Sequence, residues 1–231
     1  MSEAQTSKPE VRAVVFDCDG VLADNDSSWQ NIHDHFGTEN SEMLAKFLRK
    51  EITDEEFVAD DLRMWREVQP EIHRDEIMRC YSGIKLMLGA RDVVDALHER
   101  GIMVAIVSSG VDLLIGSIAQ MLKVDDWAAN GFEWDENGWL VGAKPTVVDS
   151  HDKGAMVVKF ARINGIDPSH IVSVGDSGPD LSMMIPGSRF VGFNPASNRG
   201  ADAFTESGVP VVEGKDLREI WEPIFGEPFP K

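Results

Sequence analysis

The sequence predicts an α/β fold: a Rossmann-like parallel sheet core with helices on both faces, plus a small α-helical cap inserted after the first strand. Three observations predict it. Short apolar runs alternate with helical stretches along most of the chain, the pattern of a parallel sheet with crossover helices. The apolar runs stop abruptly at polar or acidic residues, as at Val14-Val-Phe-Asp17-Cys-Asp19-Gly. In open α/β sheets such strand ends line the ligand crevice. Residues 26–81 break the rhythm, with helical periodicity and no strand alternation.

The elements follow in order. The apolar run from Val14 is a buried strand that stops abruptly and delivers Asp17 and Asp19 to its carboxyl end. Helices are expected at 28–36, 42–50, 54–68 and 74–81, with Trp29 and Trp65 anchoring a small helical core. The α/β alternation resumes with a helix over 90–100, stopped by Gly101, and a strand over 102–107. A helix over 111–122, a short strand over 126–130 and a hairpin pairing 132–134 with 139–141 come next. A helix over 153–164, a strand over 171–175, a short helix over 180–185 and a strand over 190–193 complete the core. The organisation read from this is a core of 11–25 and 82–231, a cap of 26–81 and a loose N-terminal tail of 1–10. The Trp221–Phe229 segment is read as a docked end or a dimer contact, so monomer and homodimer both stand.

Composition narrows the function. The 231 residues carry 40 acidic against 22 basic side chains, a net charge of −18. That disfavours nucleic acid and anionic membranes, which need clustered Lys and Arg. No apolar run is long enough for a membrane span, and the polar N-terminus lacks an apolar signal core. Two cysteines make no disulfide framework, and Cys18 is expected to pack as a small apolar residue. A reduced, cytoplasmic setting is the expectation.

The chemistry concentrates at predicted strand ends and helix starts. Strand alternation sends Asp17 and Asp19 to one side. Two carboxylates that close need a cation, a proton or a phosphate site nearby. The second strand ends in Ser108-Ser109-Gly110, a hydroxyl with free backbone amides suited to an anion. Lys153 opens a helix and offers a point charge to phosphate, with Lys144 as a loop competitor. The strand over 171–175 delivers Asp176, with Asp180 four residues on, suited to a hard cation such as Mg2+. Each piece alone also fits a structural role: a serine or aspartate helix cap, a solvated lysine.

Taken together and in order, Asp17 and Asp19, Ser108, Lys153, then Asp176 and Asp180 resemble the motifs of the haloacid dehalogenase superfamily of aspartate-nucleophile phosphatases. The likeness spans residues 11 to 220. The cap position, the Val-Ser-Ser-Gly segment, the hairpin and Gly175-Asp176…Asp180-Leu-Ser-Met are most similar to the phosphoserine phosphatase branch. Pro179 stands where that branch has asparagine. Asp26 aligns with the branch's amino-reading glutamate, and Arg63 or Arg66 would take the substrate carboxylate.

The resemblance implies a Mg2+-dependent phosphomonoester hydrolase acting on a small phosphorylated metabolite, phosphoserine first. Asp17 would be the nucleophile and Asp19 the acid–base. Mg2+ would sit among Asp17, Asp176, Asp180 and the Asp19 backbone carbonyl. Ser108, Ser109, Gly110 and Lys153 would hold the phosphate, and Asp26 and Arg63 the rest of the substrate. The alternatives are a phosphatase of a sugar phosphate or other phosphorylated acid, or a phosphotransferase or phosphomutase on the same scaffold. His33 and His35, two apart in a cap helix, are read as surface residues rather than metal ligands.

Overall fold

The computed structural model describes residues 10–195 and 198–230. The expected N-terminal tail therefore lies, save Glu10, outside the described residues. The first strand, β1 (Ala13–Phe16), leads through Asp17 and Asp19 to a two-residue strand, β2 (Ala23–Asp24). Helices α1 (Ser28–Phe36), α2 (Ser41–Leu48), α3 (Asp54–Val68) and α4 (Arg74–Cys80) follow. Strand β3 (Lys85–Leu86) then pairs antiparallel with β2, so one short ribbon carries the chain into the four helices and out again. The remainder runs α5 (Ala90–Glu99), β4 (Met103–Val111), α6 (Asp112–Leu122), β5 (Asp126–Asn130), and the hairpin β6 (Phe132–Trp134) and β7 (Leu140–Ala143). It ends with α7 (Gly154–Asn164), β8 (Ile171–Gly175), β9 (Arg189–Phe193), α8 (Asn198–Ser207), β10 (Val211–Val212) and α9 (Trp221–Phe225).

Six parallel strands form one sheet in the order β10-β9-β8-β1-β4-β5. Phe16 lies opposite Ile106 of β4 on one side and Val174 of β8 on the other. From β1 the chain proceeds outward through β4 and β5, then returns to β8 and proceeds the other way. The crevice at this reversal opens beside the carboxyl ends of β1 and β8, where Asp17 and Asp176 emerge.

Strand alternation builds both cores. Val14, Phe16, Val104, Ile106, Val172 and Val174 face α5 and α6, through Val93, Leu97, Ile115 and Ile118. Ala13, Val15, Ala105 and Val107 face α7 and α8, through Val157, Phe160 and Phe204. The first cluster continues without a break into the helical insertion through Ile32, Leu62, Trp65 and Phe132. Trp29 and Trp65 stack there at 6.3 Å, and Phe132 of the hairpin meets both edge-on. Hairpin and insertion are further tied by Arg66, which donates to the carbonyls of Leu140 and Val141.

Three sequence expectations shift. The strand read as 102–107 runs on through Ser108, Ser109 and Gly110 to Val111, with its register against β5 interrupted after Val107. The helix read over 180–185 is a tighter 3₁₀ turn, Gly178–Met183. Pro179 at its start, and an Asp180 carboxylate that reaches back to the Ser177 amide and hydroxyl, close the turn early. The β2–β3 ribbon, α8, β10 and the 3₁₀ turn Leu217–Ile220 were not anticipated. Two-residue strands carry no periodic signal to read.

The C-terminal segment is docked within the chain. Trp221 is fully buried, 4.4 Å from the Phe225 ring, and covered by Phe229 and the Arg100 guanidinium. Trp221→Ala should cost about 3–5 kcal/mol, the usual loss on deleting a buried indole. A denaturant melt with an unchanged midpoint would refute this docking.

Candidate active site

The site sits at the carboxyl ends of β1, β4 and β8, beneath the helical insertion. A cavity of about 500 Å³ opens there, lined by Asp17, Asp19, Ser108, Ser109, Gly110, Lys153 and Asp176 among others. The sheet brings these residues together although they lie up to 159 positions apart (176 less 17).

Lys153 is the hub. Its Nζ donates to Asp180 Oδ1 at 2.6 Å and lies 3.1 Å from Asp17 Oδ2, with all three side chains buried. Burial alone would discharge this lysine, but the two carboxylates outweigh it and hold its pKa above the ordinary value. Asp180 is in turn saturated: its other oxygen accepts from the Asp176 amide, the Ser177 amide and the Ser177 hydroxyl. Asp180 thus shapes the loop that presents Asp176.

Asp17 and Asp176 are left charge-rich. Burial pushes the Asp17 carboxyl above the usual range, Lys153 pulls against it, and the Asp180 and Asp19 carboxylates add to the rise. Burial, then Asp180 and Asp17, raise Asp176 well above the ordinary value. Asp17 Oδ1 is buried with no hydrogen-bond partner. Asp17, Asp176 and Asp180 offer oxygens all within 4.8 Å of one another. An orphaned carboxylate oxygen in an oxygen-only cluster fits a hard divalent cation, which would supply the missing positive charge.

Asp19 is held differently. Asn25 Nδ2 donates to Oδ1 at 2.8 Å, while the Ser28 amide and hydroxyl donate to Oδ2 at 2.9 and 2.7 Å. The Ser28 hydroxyl itself accepts from the Val111 amide at 2.9 Å. One buried hydroxyl therefore links the nucleating acid loop, the first helix of the insertion and the end of β4. Asp19 is outside the three-carboxylate cluster through its side chain.

The anion-facing elements come from β4. The buried Ser108 hydroxyl accepts from the Gly110 amide at 3.2 Å. Asn130, which sequence reasoning did not single out, ends β5 beside it. Its Nδ2 donates to the carbonyls of Ser109 and Val148, and its Oδ1 accepts from the amides of Val147 and Val148. A polar residue closing a strand at the same end of the sheet was the available signal. Ser28 was signalled only as part of a serine-rich helix start.

The insertion behaves less predictably. Asp26 is exposed and lines the cavity mouth. Arg63 does not reach the cavity: it lies on the outer face of α3, paired with Asp60 at 2.8 Å and Glu67 at 2.6 Å. Arg66 is also turned away, onto the hairpin carbonyls. The inward face of α3 is given by Asp61, Leu62 and Trp65, so positions 63 and 66 fall outside it. Lys144 pairs with Asp112 at 2.7 Å, away from the cavity. His33, expected on the surface, is buried, because α1 presents Ser28, Ile32, His33 and Phe36 to the interior. His35 stays partly exposed, against Glu76 at 2.7 Å.

The comparisons with known proteins bear on the family and the fold. The model of haloacid dehalogenase-like hydrolases matches residues 11–186. The chain is a haloacid dehalogenase-like hydrolase. A phosphoserine phosphatase of Archaeoglobus fulgidus is 31% identical over 84% of this chain and 56% of its own length. This hydrolase therefore spans little more than half of that relative. A phosphoserine phosphatase of Methanocaldococcus jannaschii is 26% identical over 90% of the chain and 95% of its own length. A solved structure described as a phospho-aspartyl intermediate analogue of phosphoserine phosphatase superposes with a TM-score of 0.71 at 26% identity, covering 93% of this chain and 99% of that one. Among the described residues no helix of the hydrolase is long and apolar enough to cross a membrane.

Two glycines of this hydrolase hold the loops at contact distance. Gly20 has φ +76°, and a Cβ there would lie 2.3 Å from Asp176 Oδ2. At Gly110 a Cβ would lie 2.6 Å from Ser28 Oγ and 2.8 Å from Asp19 Oδ2. Both alanine variants should lose stability, by about 1–3 kcal/mol for overpacking. Gly20→Ala should lose more, by about 1–2 kcal/mol, from left-handed strain. Denaturant midpoints give the ranking, and equal or reversed losses would contradict it.

Proposed function

We propose that this hydrolase cleaves phosphate monoesters of small metabolites through an aspartyl-phosphate, with O-phosphoserine the first substrate to try. The observation that carries the reading is the placing of Asp17. It ends the central strand at the topological crevice, one oxygen against Lys153 and the other without a donor. The names of the relatives from A. fulgidus and M. jannaschii support the substrate class.

In the first half-reaction the Asp17 carboxylate forms a bond to phosphorus as the bond to the leaving alcohol breaks. Protonated Asp19 gives its proton to that alcohol. In the second half, water attacks phosphorus and the acyl-phosphate bond breaks, returning the Asp17 carboxylate. Asp19 takes the water's proton. Its three hydrogen-bond donors from Asn25 and Ser28 fix the orientation of the carboxyl group. The Ser108 hydroxyl, the nearby backbone amides and Lys153 orient and neutralise the phosphoryl oxygens. Mg2+ would be held by Asp17 and Asp176 with Asp180 behind them, and it supplies charge neutralisation that lets carboxylates and phosphate share the pocket. The helices over the cavity exclude bulk water and shape the leaving-group pocket. The phosphorylated small molecule is the partner this geometry serves.

Asp17→Asn should lower phosphate release by roughly a thousandfold or more, as loss of a nucleophile does. An acid-quenched mass spectrum should show a phosphoryl adduct on the wild-type chain and none on the variant. Turnover retained in Asp17→Asn would eliminate the covalent route. Chelation with EDTA should abolish release and added Mg2+ restore it. Undiminished activity in EDTA would remove the cation from the scheme.

A further inference from the structure

The cavity has two chemically different ends. Its floor is polar: Asp17, Asp176, Ser108 and Lys153, the last spent on Asp17 and Asp180. Its roof, made by the helical insertion, carries a continuous apolar lining of Trp29, Leu44, Phe47, Leu48, Phe57 and Val58. Phe47 and Phe57 stack there at 5.0 Å. Trp29 has its one polar atom engaged, the indole N–H donating to the Ser109 carbonyl at 3.0 Å, so it offers the cavity only apolar ring surface.

Leu44 and Leu48 are the telling residues. They stand one turn apart on α2, on the face that lines the cavity, yet they are 42% and 53% exposed. A hydrophobic group lying against them would remove that surface from water, which is favourable in proportion to its area. The charged groups of the roof offer nothing to a second anion. Asp26, Glu39, Asp54 and Asp61 line the cavity, whereas among the described residues no arginine does, nor any lysine other than Lys153. The histidines lining it are occupied, His33 against Asp61 at 3.1 Å and His151 donating from Nε2 to the Phe47 carbonyl at 3.1 Å. A carboxylate on the leaving group would lose its water and find no free cation to pair with. The volume, about 500 Å³, is in the range that holds drug-sized ligands, so a serine-sized leaving group fills only a part of it.

We propose that the preferred leaving group is an uncharged alcohol with an apolar chain or ring, making phosphate monoesters of hydrophobic alcohols the substrate class. The phosphate sits on the floor and the apolar part runs under α2, with Leu44 and Leu48 the specificity-determining residues. This rests on the phosphatase reading above and narrows its substrate. O-phosphoserine is turned over less well, because its ammonium and carboxylate are both desolvated against apolar surface.

The test is phosphate release by the full chain with Mg2+ from ethyl, n-butyl and n-hexyl phosphate and from O-phosphoserine. The alkyl esters have leaving alcohols of nearly equal reactivity, so differences among them report contact with the chain. Their kcat/KM should rise by about two- to fourfold per buried methylene, which puts n-hexyl phosphate at least about tenfold above ethyl phosphate. It should also exceed O-phosphoserine. Leu44→Ser with Leu48→Ser should lower the hexyl-to-ethyl ratio by about fivefold or more, chiefly through KM. A flat alkyl series overturns the proposal, as does O-phosphoserine leading the panel. A folded double variant with an unchanged ratio overturns the role of Leu44 and Leu48. If that variant does not fold, the wild-type series still decides the substrate class. Release from O-phosphoserine alone sinks the proposal and spares the phosphatase. No release from any of these esters sinks both.

Discussion

The ammonium of Lys153, held between Asp17 and Asp180, is the interaction on which the site depends. Three carboxylates of one sheet edge would repel without it. It reaches them from the start of α7, so the packing of that helix on the sheet sets the spacing of the acids. Asp180 carries the constraint onward, because its second oxygen binds the backbone that presents Asp176. Lys153 does not neutralise the whole cluster. The remaining negative charge, with one buried oxygen of Asp17 left bare, is what makes the crevice receptive to a cation.

A second constraint joins the insertion to the core. The buried Ser28 hydroxyl accepts from the Val111 amide and donates to Asp19. The residue proposed to move protons is thereby positioned by the first helix of the insertion as well as by its own loop. A shift of α1 would alter the orientation of Asp19 directly. The hairpin braces the same helices from behind, with Phe132 inside their aromatic cluster and Arg66 on the β7 carbonyls.

The legible and illegible parts divide by the range of the interactions. β5, β6, β8, α1 and α3 coincide with their sequence readings to the residue. Their apolar periodicity and their caps, such as the Thr53–Glu56 box that starts α3, are written locally. The acids and Ser108 were readable because strand termini at one sheet edge must converge in a parallel sheet. Asn130 carries the same strand-end signature without a motif to flag it. The roof was not readable: Arg63 and His33 were assigned the wrong sides because periodicity says that a helix has two faces, not which one a neighbouring helix will cover.

By itself the sequence determined the parallel α/β core, the position of the helical insertion and the meeting of Asp17, Asp19, Ser108, Lys153, Asp176 and Asp180. Local apolar patterning and the geometry of parallel strands suffice for that. Only the tertiary structure decided which side chains the insertion turns inward. It buried His33 against Asp61 at 3.1 Å, and sent Arg63 and Arg66 out of the cavity. Those choices follow from how Trp65, Trp29 and Phe132 pack together across residues far apart in the chain. No local pattern encodes such packing.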